Sequence, residues 1–164
     1  MTETAVKPDI REIEEFLYRE ADFLDRGDLD GWIELYTEDA SYWMPASPEQ
    51  TDPFTHISLF YDDRLLMEIR RINFGHEYAA SMAHPVRSTH IIGNVRLQSF
   101  DAATGEARVT SNFHVAMYYR GEQTLYAGRY THDLVRQGND WKIRHKRVDI
   151  LTCDAPLKSI IIYL

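Results

Sequence analysis

Cysteine is nearly absent, because the chain of 164 residues contains only Cys153. A single thiol can neither close a disulfide within the chain nor supply the thiolates of an iron–sulfur cluster. The sequence also has no run of 18 apolar residues, and its polar first segment, Met1–Pro8, has no apolar stretch. We therefore expect no membrane span, no secretion signal and a cytoplasmic location.

Positive charge is scarce, with 18 lysine and arginine residues against 26 aspartate and glutamate residues and a formal net charge of -8. Nucleic acids and anionic membranes attract positive surfaces, so proteins or neutral ligands are the expected partners. Hydrophobic residues are abundant at 44%, and 12% of the chain is aromatic. This composition excludes a disordered chain, and the length predicts one domain, residues 10–164, after an N-terminal tail, residues 1–9.

The first part of the chain has helical periodicity. Asp9 followed by Glu12 resembles a capping box, which predicts a helix from Ile10 to Arg26. Gly27 ends that helix, and Asp28 can cap a second, short one. The second helix places aromatic and apolar residues on one side: Trp32, Leu35 and Tyr36.

The next part is predicted to contain a brief strand and a third helix. The strand covers Ala40–Met44 and ends at Pro45. The third helix runs from Ile57 to Ile72, followed by a connection, Asn73–Pro85, without a clear period. The predicted buried side of this helix consists of Leu59, Phe60, Leu65, Leu66 and Ile69.

From Val86 to Ile150 the chain alternates polar and apolar residues in long segments that are separated by turn residues. In Ala107–Tyr119 the odd positions are nearly all apolar, and Arg108, Thr110, Asn112 and His114 take even positions, which indicates one core face and one polar face. Helices followed by such a meander predict an α+β fold: a cone-shaped, curved antiparallel sheet covered by about three N-terminal helices.

Several motifs, in this order, resemble the small (beta) subunit of bacterial aromatic-ring-hydroxylating dioxygenases, a family of the nuclear transport factor two-like superfamily. The resemblance covers nearly the whole chain from about Ile10. The motifs that carry it are Phe16–Ala21, Trp32–Tyr36, Asp39–Pro45, Ile57–Arg64, Pro85–His90, Gly93–Val95 and Ile160–Leu164.

The resemblance implies a role in the breakdown of aromatic compounds as a structural subunit without catalytic residues. It implies a large (alpha) subunit as partner, with three large and three small chains in the assembly. The large subunit is expected to carry a Rieske 2Fe-2S cluster and a mononuclear Fe(II), with NADH as the ultimate electron donor. No cofactor is expected in the present chain, since its single cysteine excludes a Rieske centre.

A mononuclear iron site would need two histidines and a carboxylate. Among the seven histidines, His84 and His90 are the closest pair near the sheet, but the gap between them crosses Pro85 and gives no shared face. We therefore expect no metal site.

A second interpretation is a free-standing enzyme of the same fold, a dehydratase or isomerase acting on a small cyclic substrate. Such enzymes use a carboxylate with histidine or tyrosine groups inside the cone. The candidates are Asp39, Tyr42, His90 and His114. His114 shares its strand face with Arg108 and Thr110, which favours a hydrated or interfacial face over a catalytic one.

Tyrosine and apolar residues near the end of the chain are candidates for the surface that meets a partner, since tyrosine is favoured at interfaces. This predicted interface consists of Tyr118, Tyr126, Tyr130, Ile162, Tyr163 and Leu164. Lys142, Arg144 and Lys146 alternate along the last long strand, where we expect a solvated face. The alternative is that these cations pair with acidic residues of a partner.

Overall fold

The computed structural model describes residues 4–74 and 85–164, and within these ranges the chain forms three helices and six strands. The elements are α1 (Ile10–Asp25), α2 (Leu29–Ile33), β1 (Tyr36–Pro45), β2 (Ser58–Asp63), α3 (Arg64–Asn73), β3 (Val86–Asp101), β4 (Glu106–Tyr119), β5 (Glu122–Gln137) and β6 (Asp140–Ile150). None of the three helices has the length and apolarity of a transmembrane helix. The predicted α+β class is confirmed.

The six strands form one sheet in the order β2-β1-β6-β5-β4-β3. Neighbouring strands are antiparallel except β1 and β6, which are parallel. The sheet is therefore mixed, which corrects the prediction of a purely antiparallel sheet. The parallel pair arises because the chain leaves β1, builds the rest of the sheet, and returns in β6 beside β1.

The first helix begins and ends as predicted to within one residue, and the second begins as predicted after Asp28 but ends at Ile33, so that Leu35 and Tyr36 lie beyond it. The Asp9 carboxylate accepts a hydrogen bond from the Arg11 N–H (3.2 Å), and the Asp28 carboxylate accepts one from the Gly31 N–H (2.8 Å). Gly27 has φ +67°, a conformation that glycine adopts without a steric penalty, and it turns the chain between the two helices.

The predicted third helix is wrong in its first half. Ser58–Asp63 is a strand that pairs with β1, with Trp43 opposite Tyr61, and β1 is longer than predicted. The helix starts only after Asp63, whose carboxylate accepts a hydrogen bond from the Leu66 N–H (2.9 Å). Its buried side was also predicted wrongly, since Met67 is the only buried residue of α3. The predicted core residues Leu59, Leu65, Leu66 and Ile69 are exposed, and Phe60 is half-buried.

Strand β4 confirms the predicted alternation. Its odd residues from Ala107 to Met117 are buried, whereas Arg108, Asn112 and His114 are exposed. The buried face lies against α1 and α2, and the space between this inner face and the helices is the cone interior. Most of the core therefore comes from alternate residues of β4, β5 and β6 together with one stripe of α1.

Strand β6 contains a bulge that changes which side chains face the cone interior. Ile143 pairs with Leu134, but the next paired residue is His145, opposite Asp133, so Arg144 is an extra residue. An extra residue moves the alternation by one position and sends the following side chains to the other face. Lys146 is consequently buried, which corrects its predicted place on a solvated face.

Candidate functional site: the cone interior

A buried carboxylate stands at the centre of the cone interior. Glu20 lies on the inner stripe of α1 and is 1% exposed. One carboxylate oxygen accepts hydrogen bonds from Trp32 Nε1 (3.3 Å), Tyr36 OH (3.1 Å) and Lys146 Nζ (2.7 Å). The other oxygen lies 2.8 Å from His132 Nε2. These five residues, the Glu20 cluster, join α1, α2, β1, β5 and β6.

The Glu20 cluster is electrically balanced. Burial alone would raise the pKa of Glu20, but the Lys146 ammonium and His132 hold it well below its usual value. Burial lowers the pKa of His132 despite the attraction of Glu20, which favours the neutral imidazole, and the 2.8 Å contact to the carboxylate then requires the tautomer with the proton on Nε2. Burial likewise lowers the pKa of Lys146 against the attraction of Glu20, and the 2.7 Å hydrogen bond between the two side chains meets the condition for burying opposite charges.

The C-terminal segment, Leu151–Leu164, has neither helix nor strand, yet its last two residues are buried in the cone interior. Lys146 Nζ donates to the Leu164 backbone oxygen (2.8 Å), and the Leu164 N–H donates to the Tyr42 hydroxyl (3.0 Å). Tyr163 stacks on Trp32 with ring centroids 4.3 Å apart. The segment therefore fills the space beside the Glu20 cluster.

The hydroxyl of Tyr163 donates a hydrogen bond to the buried Asp62 carboxylate (2.7 Å). The same carboxylate accepts one from Arg70 Nε (2.6 Å). Burial, reinforced by Asp62, raises the pKa of Tyr163 far above its usual value, so the hydroxyl keeps its proton and remains a donor.

The four residues of the predicted enzyme site do not form one site. Tyr42 lies in the cone interior, hydrogen-bonded to Leu164, and the His90 side chain is buried beside Asp25. Asp39 is exposed next to Thr37, and His114 is exposed on the outer face of β4. Two of the four candidates therefore face solvent, while the side chains of the other two are buried and hydrogen-bonded within the chain.

His90 has a structural partner at the end of α1. The Asp25 carboxylate accepts hydrogen bonds from the His90 backbone N–H (2.9 Å) and from Ser88 Oγ (3.2 Å), and it lies 2.5 Å from His90 Nδ1. These contacts fasten α1 to β3. His84, the other histidine of the pair considered for metal, lies outside the described residues.

Most residues of the predicted partner interface are buried in the core of this chain. Tyr118 is 41% exposed and Ile162 is half-buried. The other four residues of that set point into the core, where Tyr130 stacks on Phe113, so their side chains are not on the surface. This corrects the prediction for Tyr126, Tyr130, Tyr163 and Leu164.

The Glu20 cluster was missed by the sequence analysis, although the sequence contains a signal for two of its members. Glu20 occupies a helical position between Leu17 and Leu24 on the apolar stripe of α1. His132 lies at a period of two between Tyr130 and Leu134 in β5. A titratable residue on a buried stripe indicates a buried polar group that needs a partner.

A comparison with known protein families identifies the family of this chain. Residues 19–155 match the family described as ring hydroxylating beta subunit. The chain belongs to this family. Membership favours a dioxygenase subunit over the dehydratase or isomerase alternative, and in such enzymes the large subunit carries the catalysis.

Curated proteins of the ring hydroxylating beta subunit family align over most of their length. The chain is 33% identical over 144 residues to the benzoate 1,2-dioxygenase subunit beta of Acinetobacter baylyi, covering 85% of this chain and 84% of that protein. It is 31% identical to the small oxygenase component of the p-cumate 2,3-dioxygenase system of Pseudomonas putida, covering 83% and 76%.

Solved structures confirm the fold of the family. The beta subunit of benzoate 1,2-dioxygenase from Burkholderia mallei has a TM-score of 0.77 at 29% identity, with 96% of this chain and 99% of that chain covered. A chain of naphthalene 1,2-dioxygenase with indole bound in the active site has a TM-score of 0.79 at 16% identity, with 99% and 90% covered. The second likeness concerns the fold alone.

Proposed function

We propose that this chain is a structural subunit that holds no catalytic residue and no cofactor of its own, and that three copies assemble with three large subunits in the cytoplasm. The large subunit supplies the Rieske cluster and the mononuclear iron, and NADH is the ultimate electron source. The observation that carries the proposal is the match to the beta subunit family over residues 19–155.

The filled cone interior supports a structural role. The Glu20 carboxylate is engaged by four donors, and the space next to it is taken by Tyr163 and Leu164. Catalysis requires groups that reach a substrate, whereas these groups reach only one another. Within residues 4–74 and 85–164, no three or more histidine, cysteine, aspartate or glutamate residues are placed to hold a metal ion.

An exposed apolar surface on α3 supports contact with the large subunit. The helix carries apolar residues at positions i, i+1, i+4 and i+7 that do not pack into the core: Leu65, Leu66, Ile69 and Ile72. Large exposed apolar patches are typical of protein–protein interfaces. We propose that this surface contacts the large subunit. It replaces the predicted tyrosine interface, because Tyr126, Tyr130 and Tyr163 are buried in the core.

The relatives suggest the class of substrate. The curated proteins are named for benzoate, toluate, p-cumate, 2-halobenzoate and anthranilate dioxygenases, and each of these compounds is a benzene ring with a carboxylate. We infer that the assembled enzyme oxidises an aromatic carboxylate in the pocket of its large subunit.

Co-expression with a Rieske-type large subunit tests the proposal. The isolated small chain should turn over no benzoate and contain no stoichiometric iron. The complex should consume benzoate with NADH and the electron-transfer components, and it should contain three large and three small chains by mass measurement in solution.

The matched control is the large subunit expressed alone, which should retain its iron but lose yield or stability. The scaffold proposal fails if the small chain alone, free of metal, dehydrates or isomerises a cyclic substrate and loses that activity in Asp39→Asn or His114→Ala.

A further inference from the structure

Tyr163 sits in the cone interior as a ligand would sit in a pocket. Its ring is stacked on Trp32 at 4.3 Å and meets the edges of two other rings, Tyr42 at 4.8 Å and Phe60 at 5.6 Å. A ring surrounded by three aromatic side chains, with a polar group beside its hydroxyl, is an arrangement typical of sites for small aromatic molecules.

The polar end of this pocket is held independently of Tyr163. The Asp62 side chain is 1% exposed and accepts a hydrogen bond from Arg70 Nε at 2.6 Å. Arg70 in turn lies over the Phe60 ring, 4.1 Å from its centroid. Because Arg70 fixes the carboxylate, the acceptor for the Tyr163 hydroxyl stays in place when the tyrosine side chain is removed.

The residue that fills the pocket belongs to the least regular part of the described chain. The C-terminal segment pairs with no strand, and it is held at its buried end by hydrogen bonds from Lys146 and Tyr42 to the Leu164 backbone. Segments outside helices and strands open at lower free energy than the sheet they lie on. The pocket walls, by contrast, come from α2, β1 and β2.

We propose that the space enclosed by Trp32, Tyr42, Phe60 and Asp62 is a binding site for a phenol, and that Tyr163 closes it in cis. In this site the ligand ring occupies the position of the Tyr163 ring, and the ligand hydroxyl donates a hydrogen bond to Asp62. A small substituent para to that hydroxyl occupies the position of the Tyr163 Cβ. This inference does not depend on the assembly proposed above.

The test is Tyr163→Ala in the full chain, probed with 4-methylphenol, which is the tyrosine side chain without its backbone. We expect 4-methylphenol to raise the unfolding temperature of this variant in a saturable manner, and that of the unaltered chain only at far higher concentration, because there the ligand must first displace Tyr163. Toluene has the same ring and methyl group but no donor. It should bind about tenfold more weakly by calorimetry, because it leaves Asp62 without that hydrogen bond.

Phe113→Ala is the matched control, because it also opens a buried cavity the size of an aromatic ring. Phe113 is 1% exposed and stacks on Tyr130 at 4.1 Å, and its own ring carries no hydroxyl. The Phe113→Ala cavity should therefore prefer toluene to 4-methylphenol. Adding Asp62→Asn to Tyr163→Ala should reduce the preference for 4-methylphenol.

The proposal is overturned if Tyr163→Ala binds neither compound, or if it binds toluene as tightly as 4-methylphenol. If this variant does not fold alone, refolding with 4-methylphenol in the buffer should restore the native circular dichroism spectrum, and refolding with toluene should not. Failure of 4-methylphenol to restore folding would likewise contradict the site.

Discussion

The cone interior and the exposed face of α3 reverse the usual placement of polar and apolar residues. Inside the cone, Glu20, His132 and Lys146 are titratable and fully buried. On α3, Leu65 and Ile72 are apolar, yet they are 68% and 63% exposed. Both arrangements are unfavourable for a side chain by itself, since charge prefers water and apolar surface avoids it.

The two regions differ in where their compensation comes from. Glu20 has four hydrogen-bond donors from its own chain, so the interior is complete in one subunit. The exposed apolar side chains of α3, unlike Met67, pack against no core within the described residues, and a second protein would have to cover them. The comparison therefore separates residues whose partners lie in this chain from residues that the proposed function assigns to contact with the large subunit.

The largest effect is expected from Glu20→Ala. The substitution leaves the Lys146 ammonium buried without its carboxylate, and breaking a buried ion pair typically costs about 3 to 5 kcal/mol. The free energy of unfolding from urea titration of the isolated chain measures the loss.

Asp133→Ala is the matched control for Glu20→Ala, since Asp133 also accepts two hydrogen bonds from a cation, Arg108 at 2.7 and 3.0 Å, but at the surface. An exposed pair contributes about 0 to 1 kcal/mol. Equal losses in the two variants would remove the distinction between the interior and the surface.

The sheet was predictable because its signal is local. In Ala107–Tyr119 the period of two continues without interruption, and the structure confirms the buried face residue by residue. The helix predicted from Ile57 to Ile72 failed because Ser58–Asp63 contains apolar residues that fit either period. Pairing with β1 makes this segment a strand. Because β1 is distant in sequence, the local pattern does not reveal that pairing.

The candidate site was harder to predict because its members meet only through tertiary structure. Lys146 alternates with Ile143 and Trp141 as an outward residue, and only the bulge at Arg144 turns it inward. No local residue pattern marks that bulge. The exposed face of α3 was assigned to the core because an apolar helical stripe is the same pattern whether it meets its own core or a partner.

A smaller effect is expected from pH, through His132. Burial holds the pKa of His132 below its ordinary value of 6.5, so the unfolded state takes up a proton near pH 6.5 while the folded state does not. Stability is therefore lost as pH falls from 7.5 to 5.5, by up to about 1.4 kcal/mol from this one group. Urea titrations at the two pH values measure the difference.

His132→Gln should flatten this pH dependence, because the amide can still donate to Glu20 but does not titrate. His114→Gln is the control: His114 is exposed on the outer face of β4, so its substitution should leave the pH dependence intact. A chain that is equally stable at pH 5.5 and 7.5 would show that His132 accepts its proton without cost in the folded state.

The smallest effect on the isolated chain is expected on α3. Leu65→Gln with Ile72→Gln should change the free energy of unfolding by no more than about 0.5 kcal/mol, because both side chains are exposed and glutamine is a good helix former. Met67→Ala on the same helix should cost about 2 to 5 kcal/mol, since Met67 is fully buried. In pull-down with the large subunit the order should reverse: the double glutamine variant should bind weakly, whereas the Met67→Ala chain that remains folded should bind normally. Full binding by the glutamine variant would mean that the large subunit meets another face.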